Sequence, residues 1–339
     1  MPKTFTIRSA ADMLAAVPYL LGFHPEDSVV MVSVGPAGEQ CHARMDLPDA
    51  SEQLEEVVAT LGSVARRNRL RRCALVLYTD DACLADDVVE AIAASLESAG
   101  VEVVEAVRAD GDRWYPLTGC TGPCCPQEGT PYDVSSHPIT AQAVLDGQVT
   151  WGSRRELAES LVGTDLDALE AVGEAADRAM ARFQAALRHP LGPPSPENAR
   201  AHLVREGTWV RSRVRRFLRD GAPLDSDDAG RLLVALVAID VRDVAWAEVL
   251  HENAAKHVRL WRDLVRRCPL DLLAAPAALL GFAAWLTGDG ALAWCAVERS
   301  QESEPDYRMA ALLAQALAGG MSPSSWRPLD PAELGLFAS

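Results

Sequence analysis

The feature of this sequence that most constrains the fold is a change of pattern at residues 113–132, RWYPLTGCTGPCCPQEGTPY. Before this run, short β-branched segments alternate with segments of helical periodicity, and after it the apolar residues recur almost only at helical spacing. The run itself combines cysteine, proline and glycine, which is typical of irregular structure. The sequence therefore predicts an α/β domain with a mixed sheet at residues 1–136, followed by an all-α domain of antiparallel helical hairpins at residues 137–339.

Length and charge exclude several classes of protein. The chain has 339 residues, which is enough for two domains, and its formal net charge is −16. Nucleic acids and anionic membranes require a basic surface, so neither is expected as a partner. No apolar run reaches the length of a membrane span, and the apolar run at 13–23 contains Pro18 and lacks the basic start of a signal peptide. We therefore expect a cytoplasmic protein with reduced cysteines.

The first domain carries recognisable start and stop signals. Ser9 is suited to cap a helix at residues 10–21, and Gly22 is suited to end it. A hairpin of two strands should follow, and a β-α-β unit with parallel strands should come after one further helix. The predicted bounds are 28–34 and 40–47 for the hairpin, 50–69 for the helix, and 73–78, 84–98 and 101–107 for the β-α-β unit.

The second domain is predicted as a series of helices with short connections, so successive helices should be antiparallel neighbours. Ser195 and Ser226 are suited to cap two of them. Gly281, Gly288 and Ala293 stand where a tetratricopeptide repeat has small residues, so residues 271–319 resemble one such hairpin and its capping helix. The predicted helices are 139–146, 154–161, 165–187, 196–219, 227–239, 242–250, 253–267, 271–286, 291–300 and 307–318.

Several short motifs, taken together, match a known family. They are VPYLLGFHPEDSVV at 17–30, RMDLP at 44–48, RWYPL with CCPQEGTP within 113–131, and VRD at 241–243. This set resembles the actinobacterial family known as domain of unknown function 4192. The most specific elements are a motif turn of Gly22, Phe23, Pro25 and Ser28, and the Cys124-Cys125 pair, whereas the family pattern places its first loop cysteine one residue before Cys120. The resemblance implies a soluble protein and no established activity.

A candidate pocket follows from the β-α-β unit. In open α/β sheets ligands bind beyond the carboxyl ends of the strands, and the turn after strand 73–78 and the cysteine loop are expected to face one crevice there. The candidate residues are Asp80, Asp81, Arg113, Trp114, Cys124, Cys125 and Glu128. The two carboxylates of Asp80 and Asp81 beside the thiols could hold a metal or a phosphate-bound magnesium, and Glu128 could act as a base. The alternative is structural: Asp81 would cap a helix, Glu128 would cap a turn, and Arg113 with Trp114 would anchor the loop.

The cysteine loop allows three interpretations. Cys120, Cys124 and Cys125 with His137 offer four zinc ligands, but the spacing departs from the usual C-x2-C pairs and adjacent cysteines point apart in an extended chain. A thiolate near Arg113 could be reactive, or the cysteines could be small buried apolar groups. No cofactor is assigned on this basis. His24 and Asp27 could likewise be acid and base, or solvated turn residues.

The remaining observations favour binding over catalysis. The chain has no phosphate-binding loop, nucleophile elbow or H-E-x-x-H motif. An arginine-rich helix at 200–219 could bind nucleic acid, but in so acidic a chain we expect it to pair with acidic helices. We expect a non-enzymatic binding or regulatory protein, with an α/β sensing module and a helical domain that docks a protein partner. The alternative is a metal- or thiol-dependent enzyme that uses the crevice between Asp80-Asp81 and residues 113–129.

Overall fold

The computed structural model describes residues 5–35, 41–118, 128–187, 196–329 and 335–337. The chain divides into two compact units: Met1–Leu157 with Ala316–Ser322, and Ala158–Gln315 with Pro323–Ser339. This division falls after Leu157, about twenty residues beyond the boundary expected at 136.

Among the described helices, none is both long enough and apolar enough to cross a membrane.

The first unit contains the predicted mixed sheet, which has six strands in the order β2-β1-β3-β4-β5-β6. Strands β3 and β4 are parallel, and every other neighbouring pair is antiparallel. The elements are α1 (Ala10–Leu21), β1 (Ser28–Ser33), β2 (His42–Asp46), α2 (Ser51–Arg67), β3 (Arg72–Tyr78), α3 (Ala82–Ser98), β4 (Glu102–Asp110), β5 (Arg113–Pro116), β6 (Thr130–Pro131) and α4 (Pro138–Leu145), with α5 (Arg154–Glu159) at the division between units.

Helix α1 begins and ends at the predicted residues. The backbone N–H of Asp12 donates to Ser9 Oγ at 3.1 Å, which caps the first turn. At the other end Gly22 adopts φ 85°, and its N–H donates to the carbonyl of Pro18 at 2.7 Å. Glycine adopts this left-handed conformation without the steric cost that a Cβ imposes. Local chemistry alone therefore sets both ends of the helix.

The sheet has an apolar cluster on each face. On one face Val29 and Leu75 pack with residues of α2 and α3, such as Leu61 and Ile92. On the other face the neighbouring strand residues pack under α1, with Val17 as one of the contacts. The first unit therefore has three layers, because each strand alternates its side chains between the two clusters.

The predicted irregular run at 113–132 contains two strands that the sequence did not reveal. After β4 the chain turns at Gly111 and returns antiparallel as β5, and Arg113 and Trp114 then pair with the two-residue β6. Strands this short have almost no periodicity of their own. They form because the edge of β4 offers unpaired backbone groups.

Residues 137–157 belong to the first unit because they contact α1 and the turn after it. Helix α4 packs on α1, and His137 Nε2 lies 3.2 Å from the carboxylate of Asp12. Further on, Trp151 N–H donates to the carbonyl of Gly22, and His24 N–H donates to the carbonyl of Trp151, both at 2.9 Å. These contacts place the division well after the change of sequence pattern.

The second unit is helical, as predicted. After α5 its elements are α6 (Leu166–Leu187), α7 (Pro196–Asp220), α8 (Ser226–Ala235), α9 (Ile239–Ala247), α10 (Ala254–Arg266), a 3-10 turn (Leu270–Leu272), α11 (Ala274–Thr287), α12 (Gly290–Ser303), α13 (Arg308–Ala318) and a second 3-10 turn (Pro323–Ser325). The cap of α8 is Asp225 and not Ser226, since Asp228 N–H donates to Asp225 Oδ1 at 2.8 Å. The predicted cap Ser195 lies outside the described residues.

Helix packing in the second unit departs in part from the expectation of successive neighbours. Helix α10 packs on α11 and α11 on α12, but α6 packs chiefly on α8, and α7 on α9. Gly230 explains the contact of α6 with α8, because a Cβ there would lie 2.5 Å from the backbone nitrogen of Ala176. Every residue of 274–286 in α11 is buried. The resemblance of this region to a tetratricopeptide hairpin stays a prediction.

Candidate functional site

The carboxyl edge of β3 and β4 is organised around Arg108, which is 6% exposed. Its Nη1 donates to the backbone carbonyls of Thr79 and Asp80 at 3.2 Å each and to Asp110 Oδ2 at 3.1 Å. The guanidinium also lies 4.0 Å from the centre of the Tyr115 ring. A buried guanidinium needs such partners, because an unpaired charge in the interior is costly. Arg108 therefore joins the turn after β3 to the β4–β5 hairpin.

Asp80 and Asp81 lie at this edge, as predicted, and both are exposed. Asp81 Oδ1 accepts from the backbone N–H of Leu84 at 3.0 Å and so caps α3, while Asp81 N–H donates to Thr79 Oγ1 at 3.1 Å. The backbone carbonyl of Asp80 accepts from Arg108. The contacts of this turn are those of a helix cap.

Arg113 connects the hairpin to the returning end of the cysteine loop. Its Nη1 donates to the backbone carbonyls of Glu128 and Gly129 at 2.8 and 2.9 Å. Glu128 is exposed, and Trp114 packs against the apolar cluster under α1. The arginine thus serves as a loop anchor, the structural role that the sequence allowed.

The path of the loop differs from the expectation that it leaves the parallel neighbour strand at this edge. The loop follows β5, and its start lies beside Ala106, whose N–H donates to Thr118 Oγ1 at 3.0 Å. Its returning end, at Glu128, is held by Arg113. The difference arises because the β4–β5 hairpin reverses the chain before the loop begins.

The cysteines of the predicted site and of the zinc alternative, Cys120, Cys124 and Cys125, lie outside the described residues. His137, the fourth zinc candidate, caps α4 through Nδ1, which accepts from Ile139 N–H at 3.3 Å, and its Nε2 faces Asp12. Over the described ranges, no group of three His, Cys, Asp or Glu side chains is placed to hold a metal ion.

The motif turn after α1 is a buried connection with an exposed polar side. Phe23, Pro25 and Ser28 are buried, while His24 and Asp27 are exposed. With its imidazole in solvent, His24 has the position of a solvated turn residue.

Two buried hydroxyls lie next to this turn. Ser28 and Tyr78 are paired in register across β1 and β3, and neither Ser28 Oγ nor Tyr78 OH has a hydrogen-bond partner in the described part of the chain. Burial raises the pKa of Tyr78, and the neighbouring Tyr132 raises it further. A phenol that stays protonated cannot act as a base at neutral pH.

A cavity of about 400 Å³ lies in the helical unit, between α6, α7 and α8. Its apolar lining consists of Ala179, Phe183, Val234 and Ala235. Its polar lining consists of Arg182, His202, Glu206, Asp227, Asp228 and Arg231. The apolar side belongs to a small cluster in which Ala179 and Val234 are buried and Phe183 is half-buried. The volume lies within the usual range of ligand pockets.

His202 is the unusual member of this lining. The residue is 8% exposed, and its Nε2 is buried with no hydrogen-bond partner in the residues that the structure describes. Its Nδ1 lies 3.4 Å from Arg205 Nη2, and its ring packs edge-on against Phe183 with the centroids 5.1 Å apart. A buried polar atom without a partner costs about 1–3 kcal/mol, so the burial of His202 Nε2 lowers the stability of this part of the helical unit.

The chain matches one family profile, that of the Domain of unknown function (DUF4192), over residues 11–324. It belongs to this family. The comparisons with curated proteins and with solved structures returned no match.

The structure explains why DUF4192 motifs far apart in this chain occur together. Arg44 of RMDLP donates through Nη2 to the carbonyl of Glu26 in the GFHPEDS segment at 3.1 Å, and its guanidinium lies 6.0 Å from the centre of the Phe23 ring. Leu47 N–H donates to the carbonyl of Asp27 at 2.9 Å. The second motif therefore holds the first in place.

The other DUF4192 motifs are likewise engaged in structural contacts. The bonds of Arg113 to Glu128 and Gly129 join RWYPL to CCPQEGTP. Arg242 of VRD is 8% exposed and donates through Nη1 to Tyr307 OH at 3.2 Å. In each described case an arginine of one motif stabilises a distant segment, which is a role in folding.

Sequence reasoning missed Arg108 and His202, and each left a signal. Arg108 stands between the buried residues Val107 and Ala109 in the second half of β4, so it had to be paired inside the protein. His202 continues the buried stripe of Val210 toward the start of α7. Arg182 of the cavity lining left no such signal in the sequence, because exposed arginines are common on helices.

Proposed function

We propose that the protein is a non-enzymatic binding protein whose helical unit holds the ligand. The observation that carries this proposal is a cavity of about 400 Å³ in the helical unit, whose lining includes the buried residue His202. The volume and the mixture of apolar and polar lining side chains are typical of a ligand pocket.

The contacts at the edge of the sheet support binding over catalysis. Asp81 caps a helix, Arg113 holds loop carbonyls, and Arg108 is enclosed by the Tyr115 ring and its hydrogen-bond partners. A catalytic acid or base needs a polar atom that can reach a substrate. The proposal therefore keeps the binding role expected from the sequence and moves the site from the α/β unit to the helical unit.

Arginines of helix α7 form ion pairs with carboxylates of the same chain, which supports a structural role for their charges. Arg213 Nε lies 3.1 Å from Asp228, and Arg211 and Arg215 both pair with Glu248, at 3.3 and 2.7 Å. Guanidinium groups that are paired in this way release few counterions on contact with phosphates.

The test is a fragment screen by saturation-transfer NMR on the full chain, with neutral, anionic and cationic fragments. The variant Ala179→Leu places a larger side chain in the cavity lining, and Ala181→Leu makes the same change at an exposed position of α6 outside it. We expect fragments that bind the wild type and Ala181→Leu but not Ala179→Leu. Equal binding by both variants, or no binding to the wild type, would refute the proposal.

A further inference from the structure

We propose that helix α2 is a homodimer contact, at which the α2 helices of two copies of this chain lie antiparallel across a twofold axis. The charges on the solvent face of α2 carry this inference, because they are complementary to those of a reversed copy of the same helix. The inference does not depend on the cavity of the helical unit, and it goes beyond the proposed function.

Helix α2 has one buried face and one solvent face. The buried face carries Leu61, which is 0% exposed and packs in the apolar cluster with α3 and the sheet. The solvent face lies opposite, and its residues follow one another at intervals of three and four, as on one side of any α-helix. They are Glu52, Glu55, Glu56, Ala59, Ser63, Arg66 and Arg67, of which all but the half-buried Ser63 are exposed.

The charges on this face are arranged symmetrically about the level of Leu61. Glu55 and Glu56 lie six and five residues before it. Arg66 and Arg67 lie five and six residues after it. In an antiparallel pair with its twofold axis at this level, the two glutamates of each copy therefore stand opposite the two arginines of the other.

None of these four side chains has an ion-pair partner among the residues that the structure describes. Within α2 the two signs are too far apart to meet, because Arg66 lies ten positions after Glu56 and a helix rises about 1.5 Å per residue. The helix dipole favours the arginines of the last turn, but its effect is confined to the end turns, and Glu55 and Glu56 lie beyond the first turn. The two glutamates are thus available to another molecule.

The centre of the face allows two helices to approach closely. Ala59 and Ser63 lie two residues before and two residues after Leu61, so they meet each other across the same axis. Side chains this small place the two helix axes near the short end of the usual range of about 8–10 Å. At that separation the longer glutamate and arginine side chains on either side of the centre can reach across to each other.

A second copy fits this face better than an acidic peptide or a nucleic acid, because either of these would place like charges against Glu55 and Glu56. One pair of helices is a small interface, and interfaces below about 1,200 Å² belong to weak or transient complexes. The net charge of −16 makes two copies repel each other at long range. At an ionic strength of about 0.15 M this repulsion is screened beyond about 8 Å, whereas the α2 charges pair at shorter distances.

The experiment is sedimentation equilibrium of the full chain at concentrations from about 10 μM to about 1 mM in about 0.15 M salt. The average mass of the wild type should rise with concentration from one chain toward two. Glu55→Lys with Glu56→Lys puts cations at all four positions, and Arg66→Glu with Arg67→Glu puts anions there. Each double variant alone should dimerise at least about tenfold more weakly, because attractions become repulsions.

Mixing the two reversed variants tests the antiparallel pairing. An equimolar mixture should form a dimer at least as tight as that of the wild type, since every acidic position then faces a basic one. Control variants make the same changes of net charge at exposed positions elsewhere: Glu170→Lys with Asp177→Lys on α6, and Arg216→Glu with Arg219→Glu on α7. Both controls should dimerise like the wild type.

Three results would each overturn the inference: a wild type that stays monomeric at about 1 mM, reversed variants that dimerise like the wild type, and a mixture of them that does not associate. If a reversed variant lacks the circular dichroism of the folded protein, Ala59→Gln carries the test. It keeps all the charges but separates the helices, so it should weaken the dimer about tenfold, since the change occurs twice in a symmetric dimer. An unchanged dimer in Ala59→Gln would refute the contact.

Discussion

Trp261 Nε1–H donates to Nδ1 of His257 at 3.2 Å, and the two rings lie nearly parallel in the core of the helical unit. The other ring nitrogen, His257 Nε2, lies 3.0 Å from the backbone carbonyl of Glu248. Nδ1 must therefore be the acceptor and Nε2 the donor, so the two bonds can exist together only in the neutral imidazole, since a proton on Nδ1 would break the bond from Trp261. Burial lowers the pKa of His257 to about 4.

This arrangement predicts a loss of stability on mild acidification. The ordinary pKa of histidine is about 6.5, so between pH 6.5 and 4 the unfolded chain binds a proton that the folded chain does not. Stability is therefore complete above pH 6.5 and falls as the pH falls. Between pH 7 and pH 5 the wild type should lose about 2 kcal/mol more than His257→Gln in urea unfolding followed by tryptophan fluorescence.

The wild type must be compared with His257→Gln because burial also lowers the pKa of His42 to about 4. His42 therefore adds a loss of stability on acidification to both proteins. The exposed His24 provides the control, and His24→Gln should show the wild-type pH dependence. Equal pH dependence of the wild type and His257→Gln would contradict the assigned tautomer.

Arg108 should be essential for the stability of the α/β unit. Arg108→Met would leave the carbonyls of Thr79 and Asp80 and the carboxylate of Asp110 without their donor. We expect the free energy of unfolding to fall by about 2–3 kcal/mol. The matched control is Arg72→Met on β3, where an ion pair with Glu102 is half-exposed and should contribute less than about 0.5 kcal/mol. Similar losses in the two variants would show that Arg108 has no special role.

Alanine substitutions at two glycines of the same region should distinguish the cost of backbone strain from the cost of a steric clash. Gly111 and Gly129 adopt φ +60° and +74°, but a Cβ at Gly111 meets nothing within 4 Å, whereas one at Gly129 lies 2.7 Å from the Tyr115 ring. Gly111→Ala should cost about 1–2 kcal/mol from the left-handed backbone alone. Gly129→Ala should cost at least about 1 kcal/mol more. In a Tyr115→Leu background that excess should shrink, and an unchanged excess in this double-mutant cycle would disprove the contact.

Thiol reactivity should distinguish the described cysteines from those of the loop. Cys83 is exposed and should react quickly with a thiol reagent, while Cys73 and Cys295 are buried and should react only on unfolding. Burial raises the pKa of Cys41 to about 11, so it should also be slow. In Cys83→Ser any remaining fast phase belongs to Cys120, Cys124 and Cys125. A fast phase that survives replacement of all four would contradict the assignment.

Elemental analysis of the same samples tests the zinc alternative for these cysteines. One zinc per chain, together with slow loop thiols, would support a metal site. The expectation of a protein partner for the helical unit stays a prediction.

Much of the fold followed from local sequence signals. The ends of α1 were predicted from Ser9 and Gly22, and the β-α-β unit from its alternation of apolar strand and amphipathic helix. The short strands β5 and β6 were not predicted, since they depend on the edge of β4. Asp80 lies at the carboxyl end of β3 as expected, and a functional site at this edge stays a prediction. The β4–β5 hairpin that precedes the cysteine loop and the central place of Arg108 were not foreseen.

The sequence by itself determined the class of each half, both ends of α1 and the family, because these depend on residues close together in the chain or on fixed motifs. Tertiary structure decided which polar groups are left without partners. His202 is an ordinary helical residue until the packing of α6, α7 and α8 buries it at the lining of a cavity. Such a site depends on contacts between residues tens of positions apart, which no local pattern records.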